Sequence, residues 1–279
     1  MKAIALLALT KPKITLLNIF TALASYVLAG GVPANAIHLI LAGYLSVGGA
    51  SALNHFLDTD IDRRMKRTAK RPLPSGKLSP WTALAMGVSM VSASVVYSAF
   101  AINLLTSFFI FLGAAIYVFI YTVWLKRRSV WNIVIGGLAG SCAPLAGWTA
   151  AGREISAVPL LLAFLVFLWT PGHFWALASR AVKDYESAGI PMLPVKKGVE
   201  FTSFASLASN VASVAAALIL AAYLNNFAFY LLIVLPVSAW LVYASVKPCV
   251  KYTPDDAWKA FKISSPWLFV VFAAAALSI

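Results

Sequence analysis

Nine long apolar runs leave this chain almost no choice of solvent. They fall at about residues 14–31, 37–57, 80–101, 104–125, 130–151, 156–178, 201–223, 227–246 and 263–279. Each is close to the roughly 20 residues that a helix needs to cross the hydrocarbon of a bilayer. Backbone groups in lipid must be satisfied within the segment, which makes each run an expected helix. With 61% of residues hydrophobic, 11% charged and a mean hydropathy of +0.86, too few charges remain to coat a soluble globule. The expected fold class is an all-α integral membrane protein, a single bundle of about nine transmembrane helices. The spans and their connections use up residues 1–279, so one transmembrane domain and no second, soluble domain is expected. Lys2, an apolar run and then Ala34-Asn35-Ala36 imitate a secretion leader, but the run after Lys13 has spanning length and is expected to stay as the first helix.

The positive charges orient the bundle. If the nine runs alternate in direction, 21 of the 22 Lys and Arg fall on one side and Arg153 alone on the other. The positive-inside rule makes the crowded side cytoplasmic, with the N-terminus there and the C-terminus outside. The net charge of +13 is then a membrane signal, helped by anionic lipid heads, and nucleic acid is not an expected partner because no soluble module presents a basic face. Cys142 lies in a span and Cys249 in a connection, so no disulfide is expected.

The stretch NHFLDTDIDRRMKRTAKRPLPSGK, residues 54–77, holds three aspartates and seven Lys or Arg. At about 100° per residue, Asn54, Asp58 and Asp62 fall within about 80° on one helix face, while Asp60 points about 240° away from Asn54. Carboxylates at the end of an apolar helix are costly unless paired, hydrated or bound to a cation, which makes them a site hypothesis. Their hard oxygens suit Mg2+ but cannot fill its octahedron, so phosphate oxygens and water would supply the rest. The basic residues after Asp62 match phosphate. The plain alternative is a solvated loop that holds topology. Two more charged segments are expected on the same side: residues 179–200, with Lys183, Asp184, Glu186, Lys196 and Lys197, and residues 126–128, with Lys126, Arg127 and Arg128. Beneath them lie aromatic residues, including Trp124, Trp131, Trp148, Trp169, Phe174 and Trp175. Their ring faces are suited to a hydrocarbon tail or an allylic cation, though Trp is also common at membrane interfaces.

The run Asn54-x-x-x-Asp58-x-Asp60-Ile61-Asp62-x-x-Met65-x-Arg67-Thr68-x-x-Arg71-Pro72-Leu73 resembles the first signature of the UbiA superfamily of intramembrane prenyltransferases. Thr10-Lys11-Pro12, Tyr121 to Ser129, APLAGW at 143–148, and WTPGHFWALA leading to KDYESAGIPMLPV at 169–195 agree in order, so the resemblance covers about residues 9–200. His173-Phe174 and the segment from Asp184 to Pro194 resemble the heme-farnesylating branch. Quinone-forming relatives typically carry a second Asp where Ala188 stands. Ala143 and Gly172 stand where that branch usually has Pro.

The resemblance implies transfer of a farnesyl group from farnesyl diphosphate to a vinyl group of heme b, giving heme O, in an active site at the cytoplasmic side. It implies Asn54, Asp58, Asp62 and Asp184 as catalytic residues, with Mg2+ held by Asp58, Asp62 and Asp184 near Asn54. Arg67, Arg71, Lys126, Arg127 and Lys183 would clamp the diphosphate, and His173 would contact heme or else be hydrogen-bonded within the bundle. His55 is expected to pack beside the acidic face and His38 to be solvated near the outer end. Candidate protein partners are a downstream heme A synthase or a terminal oxidase. The rival readings are a prenyltransferase for a quinone precursor or a lipid acceptor, and a transporter, against which stands the absence of charged residues near the predicted midplane.

Overall fold

The computed structural model describes residues 2–278. Among them the regular structure is helical, without a strand: α1 (Lys2–Leu9), α2 (Pro12–Leu28), α3 (Ala36–Leu57), α4 (Thr59–Arg64), α5 (Pro80–Ala101), α6 (Leu104–Ala115), α7 (Asn132–Gly136), α8 (Leu138–Ala150), α9 (Ala157–Arg180), α10 (Val182–Ser187), α11 (Leu193–Lys197), α12 (Val199–Leu220), α13 (Phe227–Val250) and α14 (Pro254–Leu277). Among the described residues eight helical segments are long and apolar enough to span a membrane, and the bent pair α1 and α2, counted as one span, makes nine.

Three ends differ from the hydropathy reading. Residues 2–9 form a helix of their own, meeting α2 at 47°. The connection expected at 247–262 is mostly helix, because α13 runs on to Val250 and α14 starts at Pro254. Asp255, Asp256, Lys259 and Lys262 hid that start from a hydropathy window, yet Thr253 caps it, its Oγ1 accepting from the Asp256 N–H at 3.1 Å. The segments 58–79 and 179–200 contain the short helices α4, α10 and α11.

Small residues let the spans approach. Gly49 on α3 and Gly87 on α5 face each other so closely that a Cβ on Gly87 would lie 2.9 Å from the Gly49 carbonyl oxygen. The largest buried cluster joins α9, α12, α13 and α14 through Leu162, Leu165, Leu220, Tyr230, Trp267 and Phe272. Apolar side chains such as Phe100, Leu104, Phe119 and Leu232 cover the perimeter, as lipid contact requires.

The two ends differ in chemistry. At the end carrying the chain's many Lys and Arg, residues far apart in sequence are cross-linked by charge. At the other end Arg153 Nε donates to the Ala29 carbonyl at 3.0 Å, and Asn103 Nδ2 to that of Thr149 at 2.8 Å.

Between α2 and α8 a Cβ on Gly147 would fall 1.9 Å from the Ala22 carbonyl oxygen, beside the Ser25 hydroxyl that donates to the Pro144 carbonyl at 2.7 Å. Backbone on both sides leaves nothing flexible to yield. Gly147→Ala is expected to destabilise the bundle by about 1–3 kcal/mol, measured as a lower unfolding temperature in detergent, and an unchanged temperature would refute this close packing.

Candidate functional site

The basic end holds a buried polar centre assembled from four parts of the chain. Asn54, in the last turn of α3, is its hub. Its Nδ2 donates to Asp58 Oδ2 at 2.6 Å and to Thr122 Oγ1 at 3.0 Å, and its Oδ1 accepts from Lys11 Nζ at 2.6 Å. Lys126 Nζ donates to Asp58 Oδ2, and Arg71 Nη1 reaches both oxygens of Asp62 at 2.9 and 2.8 Å. Asp58 is 0% and Asp62 2% exposed. Removing one partner of such a pair leaves the other charge uncompensated, at a cost of about 3–5 kcal/mol.

Local backbone departures bring these groups together. α3 ends at Leu57, and Asp58 joins it to α4 at φ −97°, ψ 6°, while the Asp62 N–H still donates to the Asp58 carbonyl at 2.8 Å. The acidic face is therefore carried across a joint between two helices. Lys11 sits at the joint between α1 and α2 with a left-handed φ of 47°, and Pro12 follows at the first helical position. Lys11, part of Thr10-Lys11-Pro12, is not among the expected site residues; the signal for it in the sequence is a Lys-Pro pair that interrupts an apolar run.

After α6 the helix widens into a π-helix from Ile116 to Leu125. Tyr117, Thr122 and Lys126 all reach the centre from it or its end: Tyr117 OH accepts from Lys11 Nζ at 3.0 Å, and Thr122 Oγ1 donates to the Tyr117 carbonyl at 2.8 Å. In an α-helix nine residues turn about 900°, placing Lys126 opposite Tyr117. Hydrogen bonding to the fifth residue back gives roughly 4 to 5 residues per turn, so nine residues make about two turns and both side chains share a face.

The two long charged segments meet beside this centre. The Arg67 N–H donates to Asp184 Oδ2 at 3.0 Å, Arg67 Nη2 reaches Tyr185 OH at 3.4 Å, and Ser187 Oγ donates to the Arg64 carbonyl at 3.3 Å. Ile61, Met65, Tyr185, Ile190, Met192 and Trp175 pack beneath.

Other predicted residues stand apart. Arg127 grips both oxygens of Asp60, at 2.8 and 2.7 Å, and the Leu57 carbonyl, away from the Asn54 hub. Lys183 is exposed. His173, in the second half of α9, is stacked against Trp169 and tilted against Phe261, each with its ring centroid 4.4 Å away, and its Nδ1 shares a 2.6 Å hydrogen bond with Ser264 Oγ. Its neighbour Gly172 explains the missing proline: the Gly172 N–H donates to Ser209 Oγ at 2.9 Å, and a Cβ there would lie 2.3 Å from Asn210 Oδ1. His38 Nδ1 is hydrogen-bonded to Tyr97 OH at 2.7 Å. His55 is buried with neither ring nitrogen hydrogen-bonded, and its Nδ1 lies 4.0 Å from Asp62 Oδ2.

The donor set fits a divalent cation only in part. Asp58 Oδ1 is buried and has no hydrogen-bond partner, as a carboxylate oxygen awaiting a cation would be. Among the described residues no group of three or more His, Cys, Asp or Glu is placed to hold a metal, so further ligands must come from a bound anion or water.

The Arg127 guanidinium holds the Asp60 carboxyl below its ordinary range. A depressed carboxylate pKa adds stability above the unfolded value near 3.9, and that stability is lost as pH falls through the folded value. With side chains 42% and 50% exposed, the pair is worth within about 1 kcal/mol. Asp60→Asn is expected to lower the unfolding temperature slightly at about pH 7, and the gap should close below about pH 4; a gap that persists in acid would rule out this ion pair as its cause.

Residues 18–274 match the UbiA prenyltransferase family. The chain is 45% identical to protoheme IX farnesyltransferase 1 of Cenarchaeum symbiosum over 285 residues, covering 99% of this chain and 96% of the relative. It is 41% identical to protoheme IX farnesyltransferase of Sulfolobus acidocaldarius over 278 residues, covering 99% and 96%. The fold is that of a digeranylgeranylglyceryl phosphate synthase structure, with a TM-score of 0.78 at 18% identity over 99% of this chain and 98% of that one. A UbiA homolog from Archaeoglobus fulgidus bound to DMAPP and Mg2+ superposes with a TM-score of 0.69 at 18% identity, covering 98% and 99%. By sequence and by fold alike, this chain belongs to the UbiA prenyltransferase family.

Proposed function

We propose that this chain transfers a farnesyl group from farnesyl diphosphate to a vinyl group of protoheme IX, giving heme O. The observation that carries the chemistry is the buried centre itself: Asp58, with one free oxygen, and Asp62 lie among Lys11, Arg71 and Lys126, at the edge of an apolar bundle. The acceptor is proposed from two near full-length relatives that carry the name protoheme IX farnesyltransferase.

Asp58 would hold Mg2+ through its free oxygen, with the diphosphate and water completing the shell and Asn54, Asp62 and Asp184 contacting the ion through them; its chemistry would be to neutralise the diphosphate as it leaves. Lys11, Arg71 and Lys126 would bind its oxygens from the buried side and Arg67 and Lys183 from the rim, where positive charge lowers the energy of the departing anion. Arg127, committed to Asp60, would act by holding the turn after α3. The C1–O bond of the farnesyl group breaks and allylic cationic character develops beside the stacked rings of Tyr117 and Tyr121, 5.7 Å apart. The vinyl carbon supplies the electron pair for the new C–C bond. Water then adds to the adjacent carbon and gives up a proton, leaving the hydroxyethyl group. The whole chain would work as one domain, with segments 58–79 and 179–200 as the two lips of the site. We place the basic end in the cytoplasm from the distribution of Lys and Arg, and the product would pass to heme A synthase or a terminal oxidase.

Purified protein given Mg2+, farnesyl diphosphate and heme b is expected to yield a porphyrin heavier by a farnesyl and a hydroxyl group. Asp58→Asn should lower the rate about a hundredfold or more, while Asp60→Asn should stay within about fivefold. With its Nδ1 bonded to Ser264, His173 would contact heme through its second ring nitrogen; the absorbance shift of bound heme should survive Asp58→Asn and be lost in His173→Ala, and a shift retained in His173→Ala would remove that contact. Prenylation of a hydroxybenzoate or glycerol phosphate acceptor in place of heme would move the assignment to another branch, and no prenylation at all would end it.

A further inference from the structure

A second basic feature lies on the outside of the bundle, in a groove of about 410 Å3 between α13 and α14. On α13 its wall is the stripe Trp240, Tyr243, Ala244 and Lys247, at the three- and four-residue spacing of one helix face. The facing wall on α14 carries Asp256, Lys259 and Lys262 near the helix start and Ile263 and Pro266 further along. Both walls are charged at the basic end of the bundle and turn apolar or aromatic away from it. From Lys247 to Trp240 the groove descends about 10 Å along the helix axis, the depth of a headgroup and the first part of its chains.

Its charge is unbalanced. Three lysines line it against one carboxylate, and Asp256 is already occupied: its Oδ2 accepts from Thr253 Oγ1 at 2.7 Å and its Oδ1 from Lys259 Nζ at 3.4 Å. Lys247 Nζ leans over the Tyr243 ring, 4.7 Å from its centroid, and Lys262 Nζ lies 5.9 Å from that of Trp258. Neither contact neutralises an ammonium. Trp240 and Tyr243 are 57% and 61% exposed on the lipid-facing perimeter.

We propose that this groove is a binding site for one anionic phospholipid, its phosphate held by Lys247, Lys259 and Lys262 and its chains lying against Trp240, Tyr243 and Ile263. A basic pocket between spanning helices on the side of the positive loops has the features such a headgroup needs. A free phosphate would leave the aromatic wall unused, and a zwitterionic lipid would bring its own cation toward three ammonium groups. The site lies outside the buried carboxylate centre and is independent of the group that centre transfers.

Native mass spectrometry of the full-length protein, extracted from vesicles of phosphatidylglycerol and phosphatidylcholine with the same chains, tests it. The wild type should retain one phosphatidylglycerol in preference to phosphatidylcholine. Each Lys→Ala change should weaken retention about fivefold, whereas the triple Lys→Arg variant should keep it. Equal retention of the two lipids, or full retention in the triple Lys→Ala variant, would overturn the proposal, as would displacement of the lipid by inorganic phosphate alone. Should the triple Lys→Ala variant not fold, brominated phosphatidylglycerol gives an independent reading. It should quench a tryptophan component that disappears in Trp240→Phe, and quenching unchanged by that substitution would also overturn the site.

Discussion

Two carboxylates buried at the end of an apolar bundle set the terms for everything near them. Asp58 and Asp62 can stay charged there only if cations arrive from elsewhere, and each cation comes from a place where regular α-helix is given up. Lys11 comes from the left-handed break ahead of α2, Lys126 from the end of the π-helix, and Arg71 from the segment after α4. A bundle of straight helices would offer its side chains to lipid or to a dry core. The irregular joints gather charge at one point, and Asn54 ties Lys11, Asp58 and Thr122 together with three hydrogen bonds.

The same economy governs the rim. Asp184 is held by the backbone N–H of Arg67, which leaves the Arg67 guanidinium beside Tyr185 and able to turn toward an anion. The apolar layer of Ile61, Met65, Tyr185 and Met192 keeps the two charged segments together, so electrostatic repulsion between their lysines and arginines does not have to be overcome by ion pairing alone. Charge at this end of the molecule rests on hydrophobic packing one layer below.

Much of this could be read from residue order. The runs at 80–101 and 104–125 match their spanning segments end to end, because hydrocarbon contact demands apolar side chains without interruption. The start of α14 escaped detection since its first turns lie beyond the apolar layer and carry Asp255, Asp256, Lys259 and Lys262. Asn54, Asp58 and Asp62 could be grouped by a 100° rotation because the joint at Asp58 preserves the next hydrogen bond. No such rule could place Lys126 with Tyr117, as that alignment depends on a change of helical pitch invisible in composition. The pairing of Arg127 with Asp60 depends on two chain turns meeting, 67 residues apart, and local patterning is silent about that. Gly172 could be noticed as a departure, but its reason lies on another helix, at Ser209 and Asn210.

The π-helix has an implication for how such a chain can change over time. Its wide turns hold roughly one more residue each than α-helix would, and that excess is what swings Lys126 round to Asp58. Substitutions along Ile116–Leu125 can alter the lipid-facing side without disturbing this arrangement, whereas a single deletion would rewind the segment and turn the lysine toward the bilayer. The geometry of the charged centre is therefore encoded here in a count of residues as much as in their identities. Descendants that abandoned the buried carboxylates would be free to shorten this helix, and those that kept them would be held to its length.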